Sequence, residues 1–192
     1  NPYFPLKPGT TFIYEGTSDG EAQRDEVIVT SETKTILGVT CVVVRDRVSV
    51  KGEVVEDTLD WFAQDKDGNV WYFGEASADY EDGEVVSTEG SWEAGVDGAK
   101  PGIIMPAEPR AGDVYRQEYY AGEAEDMAEV LEVGGSIAVP YGSFDEILVT
   151  KEWSPLEPDV IEHKTYAPGV GLVAEVAAQG GDERLELIER EG

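Results

Sequence analysis

The chain holds little of what most reactive sites are made from: one cysteine, Cys41, one histidine, His163, and two methionines among 192 residues. A single thiol forms no internal disulfide, so cohesion must come from a buried core, which a chain of this length can supply without staples. The cysteine count therefore leaves an extracytoplasmic home open. Zinc held by nitrogen and sulfur is out of reach unless carboxylates complete the ligand set. No Gly-x-Ser-x-Gly elbow or reactive-cysteine motif accompanies His163, so nucleophilic catalysis lacks its usual parts. Cations are scarce as well: 14 Lys and Arg face 41 Asp and Glu, a formal net charge of −27 that repels phosphates and anionic headgroups. Nucleic acid is not an expected partner. Apolar runs such as Cys41–Val44 and Val170–Ala174 fall far short of the ~20 residues a spanning helix needs, so no membrane insertion is expected.

What is present argues for a folded β protein. A hydrophobic fraction of 41%, with four tryptophans, nine tyrosines and five phenylalanines, is too apolar for a disordered acidic chain. A single β domain over residues 1–192 is expected. The dominant pattern is short alternating or β-branched runs broken by Gly, Pro and Asp-Gly turns. These runs predict strands at Thr10–Glu15, Asp25–Ser31, Val39–Val50, Val54–Ala63, Asn69–Glu75, Glu84–Trp92, Val114–Tyr120, Met127–Val133, Ser136–Val139, Phe144–Trp153, Val160–Ala167, Leu172–Ala178 and Arg184–Glu189. Lys51-Gly52, Asp82-Gly83, Gly134-Gly135 and Pro168-Gly169 suit tight reversals between them. Glu123–Val133 has some helical spacing but reads better as a strand. The fold class is all-β, an antiparallel barrel or two-layer sandwich. Cys41, inside the most valine-rich run, is expected to be buried and inert.

A faint repeat can organise the whole. Pro5-Leu6-Lys7-Pro8-Gly9 leads into Thr11–Glu15, and Pro106-Ala107-Glu108-Pro109 with Gly112 leads into Val114–Glu118. Two duplicated meanders, 1–93 and 105–190, would then join through Gly90–Pro106.

Three segments carry a family resemblance: the opening Asn1-Pro2-Tyr3-Phe4-Pro5-Leu6 with Pro8-Gly9, the middle Val139-Pro140-Tyr141-Gly142-Ser143-Phe144, and the close Tyr166-Ala167-Pro168-Gly169-Val170-Gly171-Leu172-Val173. In these the chain resembles a group of bacterial extracytoplasmic, often lipoprotein-type, β-rich proteins. The resemblance implies a location, secreted, periplasmic or cell-surface, and a β fold. It implies no reaction and no site residues. The start at Asn1 fits a processed leader, although no lipobox cysteine is in the sequence.

Aromatic residues supply the leading site candidates. Trp61 and Phe62, then Trp71, Tyr72 and Phe73, alternate faces on neighbouring strands, so one face is core and the other needs a cover. With Trp92 and Trp153, which stand beside acidic residues, Trp61, Trp71 and Tyr72 form a candidate site for a small apolar or sugar ligand. The competing reading is that these rings are simply core. A second set is acidic: Glu89, Glu93 and Asp97 in one glycine-rich loop and Glu123, Glu125 and Asp126 in another offer oxygens for Ca²⁺ or a lanthanide. Asp65-Lys66-Asp67-Gly68-Asn69 superficially resembles a calcium loop but has a hairpin's chemistry. His163 and Glu118 are the catalytic candidates for a carboxylate-dependent hydrolase. The charge also fits simple salt adaptation. The reading adopted is a non-catalytic extracytoplasmic binding protein with no resident cofactor except a candidate Ca²⁺, and a small-molecule ligand or divalent cation as partner.

Overall fold

The computed structural model describes residues 1–192 and is built of strands, turns and irregular connections, with no helix long and apolar enough to cross a membrane. In chain order the first strands are β1 (Thr11–Ser18), β2 (Glu21–Ile36), β3 (Val39–Val50), β4 (Glu53–Gln64), β5 (Val70–Ala76), β6 (Asp79–Glu81), β7 (Glu84–Ser87), β8 (Trp92–Glu93) and β9 (Lys100–Met105). There follow β10 (Val114–Arg116), β11 (Glu118–Tyr119), β12 (Met127–Val133), β13 (Ser136–Val139), β14 (Gly142–Asp145), β15 (Leu148–Ser154), β16 (Glu157–Ala167), β17 (Gly171–Gln179) and β18 (Arg184–Glu191). Four hairpins turn on Asp19-Gly20, Leu37-Gly38, Lys51-Gly52 and Asp82-Gly83, where both residues have positive φ. Such two-residue turns match the twist of antiparallel strands.

Hydrogen-bonded neighbours run β10-β12-β15-β16-β17-β18-β1-β2-β3-β4-β5-β9-β11. The two ends of this path are consecutive in the chain, separated only by Gln117. Residues 114–119 therefore act as one stave: its first half pairs with β12, Val114 opposite Glu129, and its second with β9, Glu118 opposite Pro101. The sheet nearly closes there into an antiparallel barrel of twelve staves. Much of both edges is covered in this way, and with it the unpaired amides that an open sheet exposes.

Alternation sorts side chains between lumen and outer wall. Across β2, β3 and β4 the register sets Val29, Val44 and Asp60 in one row and Val27, Asp46 and Thr58 in the next, all facing inward. The intervening residues face out and carry charge, with Arg45 donating to Asp57 at 2.7 and 2.5 Å and Arg24 pairing with Glu15 at 2.6 Å. Beside β5, β8 extends the wall, with Trp92 toward Tyr72 and Glu93 toward the outside. Lys34 lies 3.3 Å above the Trp61 ring and pairs with Glu93 at 2.7 Å, while the Ala94 amide donates to the Phe73 carbonyl. Cys41 is fully buried, and burial pushes its thiol up to about 11.

Several sequence boundaries shift. Glu84–Trp92 splits into β7 and β8, and Phe144–Trp153 splits into β14 and β15 where Glu146 adopts positive φ. The stretch Gly90–Pro106, read as a joint, holds β9, a full stave. Pro101 and Gly102 disguised it, since neither is a usual strand residue. Gly102 is required by the closure: a Cβ there would lie 2.1 Å from the Gln117 carbonyl oxygen. Gly102→Ala should lower unfolding free energy by about 3 kcal/mol or more. In Gly142→Ala the new Cβ would meet the Phe144 ring at an ordinary 3.5 Å, and urea titration should show a change of less than about 0.5 kcal/mol.

Candidate functional site: the barrel lumen

Eight staves are about the number whose side chains fill a barrel, so twelve leave a lumen that needs other filling. At one end the N-terminal segment supplies it. Asn1 Nδ2 donates to the carbonyls of Gly68 and Pro106 at 3.0 and 2.9 Å, and the Gly169 amide donates to the Pro2 carbonyl at 2.7 Å. This pins the opening segment beside the closing Tyr166–Val173 segment and sends Phe4, Pro5 and Leu6 against the barrel interior. An aromatic chain continues inward. Phe4 meets Phe62 edge-on at 5.1 Å, Phe62 stacks on Tyr72 at 4.7 Å, and Tyr72 meets Trp92 edge-on at 5.4 Å.

Between these rings and the opposite wall lies a cavity of about 270 Å³. Phe4, Leu6, Phe12, Phe62, Ile104 and Leu172 give it an apolar side. Asp46, Asp60, Glu118 and Glu152 give it an acidic side around Lys164, the only cation in the lining. Glu118, Glu152 and Lys164 also line a wider acidic vestibule of about 570 Å³, whose rim includes Trp153, Leu156 and Val160.

Lys164 is already committed. Its ammonium sits 3.4 Å from Glu152, 3.7 Å from Glu162 and 3.6 Å from Glu175. Burial alone would pull its pKa down, but Glu175, Glu152 and Glu162 outweigh that and hold it charged. Glu152 also accepts from the Thr150 and Tyr166 hydroxyls at 2.7 and 3.2 Å. No basic side chain pairs with Asp25, Asp46, Asp60, Glu75 or Glu118, although Gln23 donates to Asp25 at 3.2 Å. Burial pushes Asp25 and Asp60 up to about 6, the latter despite the Tyr72 hydroxyl donating to it at 2.6 Å. Glu75 rises to about 8 through burial, then Asp60 and Glu56. Asp46 and Glu118 are raised well above the ordinary range, first by burial and then by neighbouring acids.

The structure distributes the sequence candidates unevenly. Tyr72 lines the cavity, Trp153 the vestibule, and Trp92 is buried against Tyr72. Trp61 lies under Lys34 on the outer wall, and the Trp71 indole donates to Asp65 at 2.8 Å. Asp65 also accepts from the amides of Asp67 and Asn69 and from the Asn69 side chain, so its oxygens close a hairpin turn. Those hydrogen bonds, Trp71's first, hold its pKa down to about 2. Of the proposed cation ligands, Glu89, Glu123 and Asp126 line the vestibule, but their oxygens do not come together as a ligand set. Glu93 pairs with Lys34, Glu125 accepts from the Gly122 amide at 2.9 Å, and Asp97 is exposed. Glu162, Glu175 and Glu183 bring oxygens within 4.8 Å of one another and could hold a metal, but Lys164 occupies two of them and Gln23 donates to the third at 2.7 Å. Glu118 faces the lumen, whereas His163, between inward Glu162 and Lys164, faces out opposite Lys151 and Val176. These two catalytic candidates do not meet. Asp46, Asp60 and Lys164 escaped sequence reasoning. Their one signal was an acid or a base at an inward position of an otherwise apolar alternation.

No family model matches the chain, and no curated protein matches it in sequence. Among solved structures, a "putative exported protein with YmcC-like fold" from Bacteroides fragilis is similar over 99% of both chains, at 14% identity and a TM-score of 0.54. A "putative lipoprotein" from Parabacteroides distasonis is similar over 98% of both, at 16% identity and a TM-score of 0.49. The first likeness gives the class of fold, an all-β barrel of the YmcC-like kind.

The raised carboxyls make stability pH-dependent. The folded chain keeps protons there that the unfolded chain loses near pH 4. Their contribution is full below that and disappears as pH rises through about 6 for Asp25 and Asp60 and about 7 for Glu175 and 8 for Glu75. Calorimetry should give a Tm roughly 5–10 °C higher at pH 5 than at pH 8, and Glu75→Gln should flatten that slope. A slope unchanged in Glu75→Gln would assign it to overall charge repulsion.

Proposed function

We propose that this chain is a non-catalytic extracytoplasmic binding protein whose barrel lumen takes up a small, mainly apolar ligand. The observation that carries this reading is the 270 Å³ cavity within the barrel, apolar along one side. Lumens of closed barrels hold ligands where side chains leave room. An apolar ligand fits better than a sugar, because the faces of Phe62 and Tyr72 are spent on each other and offer no free stacking platform. The location rests on the family resemblance and on the exported character ascribed to the Bacteroides protein of like fold.

The test is titration with N-phenyl-1-naphthylamine, a neutral apolar fluorophore. It should bind with one-to-one stoichiometry, and Val44→Trp, which fills the lumen, should weaken it at least tenfold. Val29→Phe adds less bulk and guards against misfolding, while Trp71→Ala on the outer wall should leave binding unchanged. Unchanged affinity in both folded Val44→Trp and folded Val29→Phe would overturn the luminal site.

A second reading, divalent-cation binding, draws on Glu89, Glu123 and Asp126 all lining the vestibule. Ca²⁺ at 1 mM should then raise Tm by more than Mg²⁺ at matched ionic strength. Equal shifts would mean screening of the net charge alone.

A further inference from the structure

The charge arrangement of the same cavity narrows the ligand class, and this step rests on the luminal binding proposed above. We infer that the lumen is built for a cationic amphiphile, an apolar body bearing an amine or quaternary ammonium group, with the cation seated between Asp46 and Asp60. Both residues line the cavity from adjacent strands, Asp60 opposite Val44 and Asp46 opposite Thr58, so they are diagonal neighbours on the inner face of β3 and β4. Oδ1 of Asp46 is wholly buried and accepts no hydrogen bond. Asp60 has one donor, the Tyr72 hydroxyl.

No cation of the protein forms an ion pair with either. Lys164 bears on Asp60, but its ammonium is shared by Glu152, Glu162 and Glu175. The titratable groups that bear on Asp46 are otherwise Tyr14 from β1, Asp25 from β2, Asp60 and Glu56 from β4, and Glu175 from β17, all acids. A buried carboxylate without a partner is costly, and it is relieved either by a proton or by a counter-charge. Burial and the neighbouring acids favour a proton on Asp46. A bound ammonium group would displace it, with the Phe4, Leu6, Phe62 and Leu172 surface receiving the apolar part. The apolar side argues against a bare divalent ion, which needs six to eight oxygens around it. An anionic head would meet the acids unscreened.

Calorimetric titration with decyltrimethylammonium, decylamine, decanol and decyl sulfate, each below its micelle concentration, tests this. Both cations should bind one-to-one and at least tenfold more tightly than decanol, releasing protons on binding and weakening as pH falls from 8 to 5. Decyl sulfate should not bind. Asp46→Asn with Asp60→Asn should abolish the cationic preference while decanol affinity is kept, which separates loss of charge from loss of fold. Decanol binding as tightly as the cations, both blocked by Val44→Trp, would overturn the cationic class and leave the apolar lumen standing. Cation binding that persists in Val44→Trp would be surface attraction and would overturn the inference. Absence of binding by all four would overturn the luminal site together with it.

Discussion

Twelve staves set a circumference that inward side chains alone cannot fill. Much of the remaining architecture answers that constraint. The N-terminal segment turns inward beside Tyr166–Val173, and Phe4, Phe62, Tyr72 and Trp92 run as a chain of rings from that end toward the middle. Space that neither device reaches remains as the cavity. Closure itself depends on one short stave that pairs with two partners in succession, and on Gly102, where the chains pass too closely for any side chain.

A lumen relieved of packing duty can carry groups that a solid core would reject. Carboxylates in a close-packed interior would be paired or absent. Here they line one side of a void, and a single ammonium, Lys164, gathers three of them. The outer wall of β1–β4 shows the opposite economy, with acids and bases alternating across strands in ordinary exposed pairs. On that part of the wall acids are matched by bases, whereas the lumen holds several acids to one base. That asymmetry connects the fold to its pH-dependent stability and to the cation-seeking character assigned to the cavity.

Strand content was legible because alternation and turn chemistry are local. Val39–Val50, Met127–Val133 and Ser136–Val139 lie where the pattern puts them, and the Lys51-Gly52 and Asp82-Gly83 reversals carry the positive φ their residues favour. The failures were local too. β9 was hidden by Pro101 and Gly102, whose suitability depends on a partner strand met only on closure. The rings were harder to place. Adjacent residues such as Trp71 and Tyr72 must point to opposite faces, but alternation alone does not say which face is the lumen.

By itself, the sequence determined that this chain is an acidic antiparallel β protein without disulfide, apolar helix or nucleophile motif, because composition and period-two patterning act over a few residues at a time. Tertiary structure decided that the sheet curls into a barrel, that Tyr72 rather than Trp61 or Trp71 faces the lumen, that His163 and Glu118 are divided by the wall, and that Asp46 and Asp60 share a cavity with a Lys164 already held by glutamates. These are relations between residues far apart in the chain. They are set by register and circumference, which no local pattern encodes.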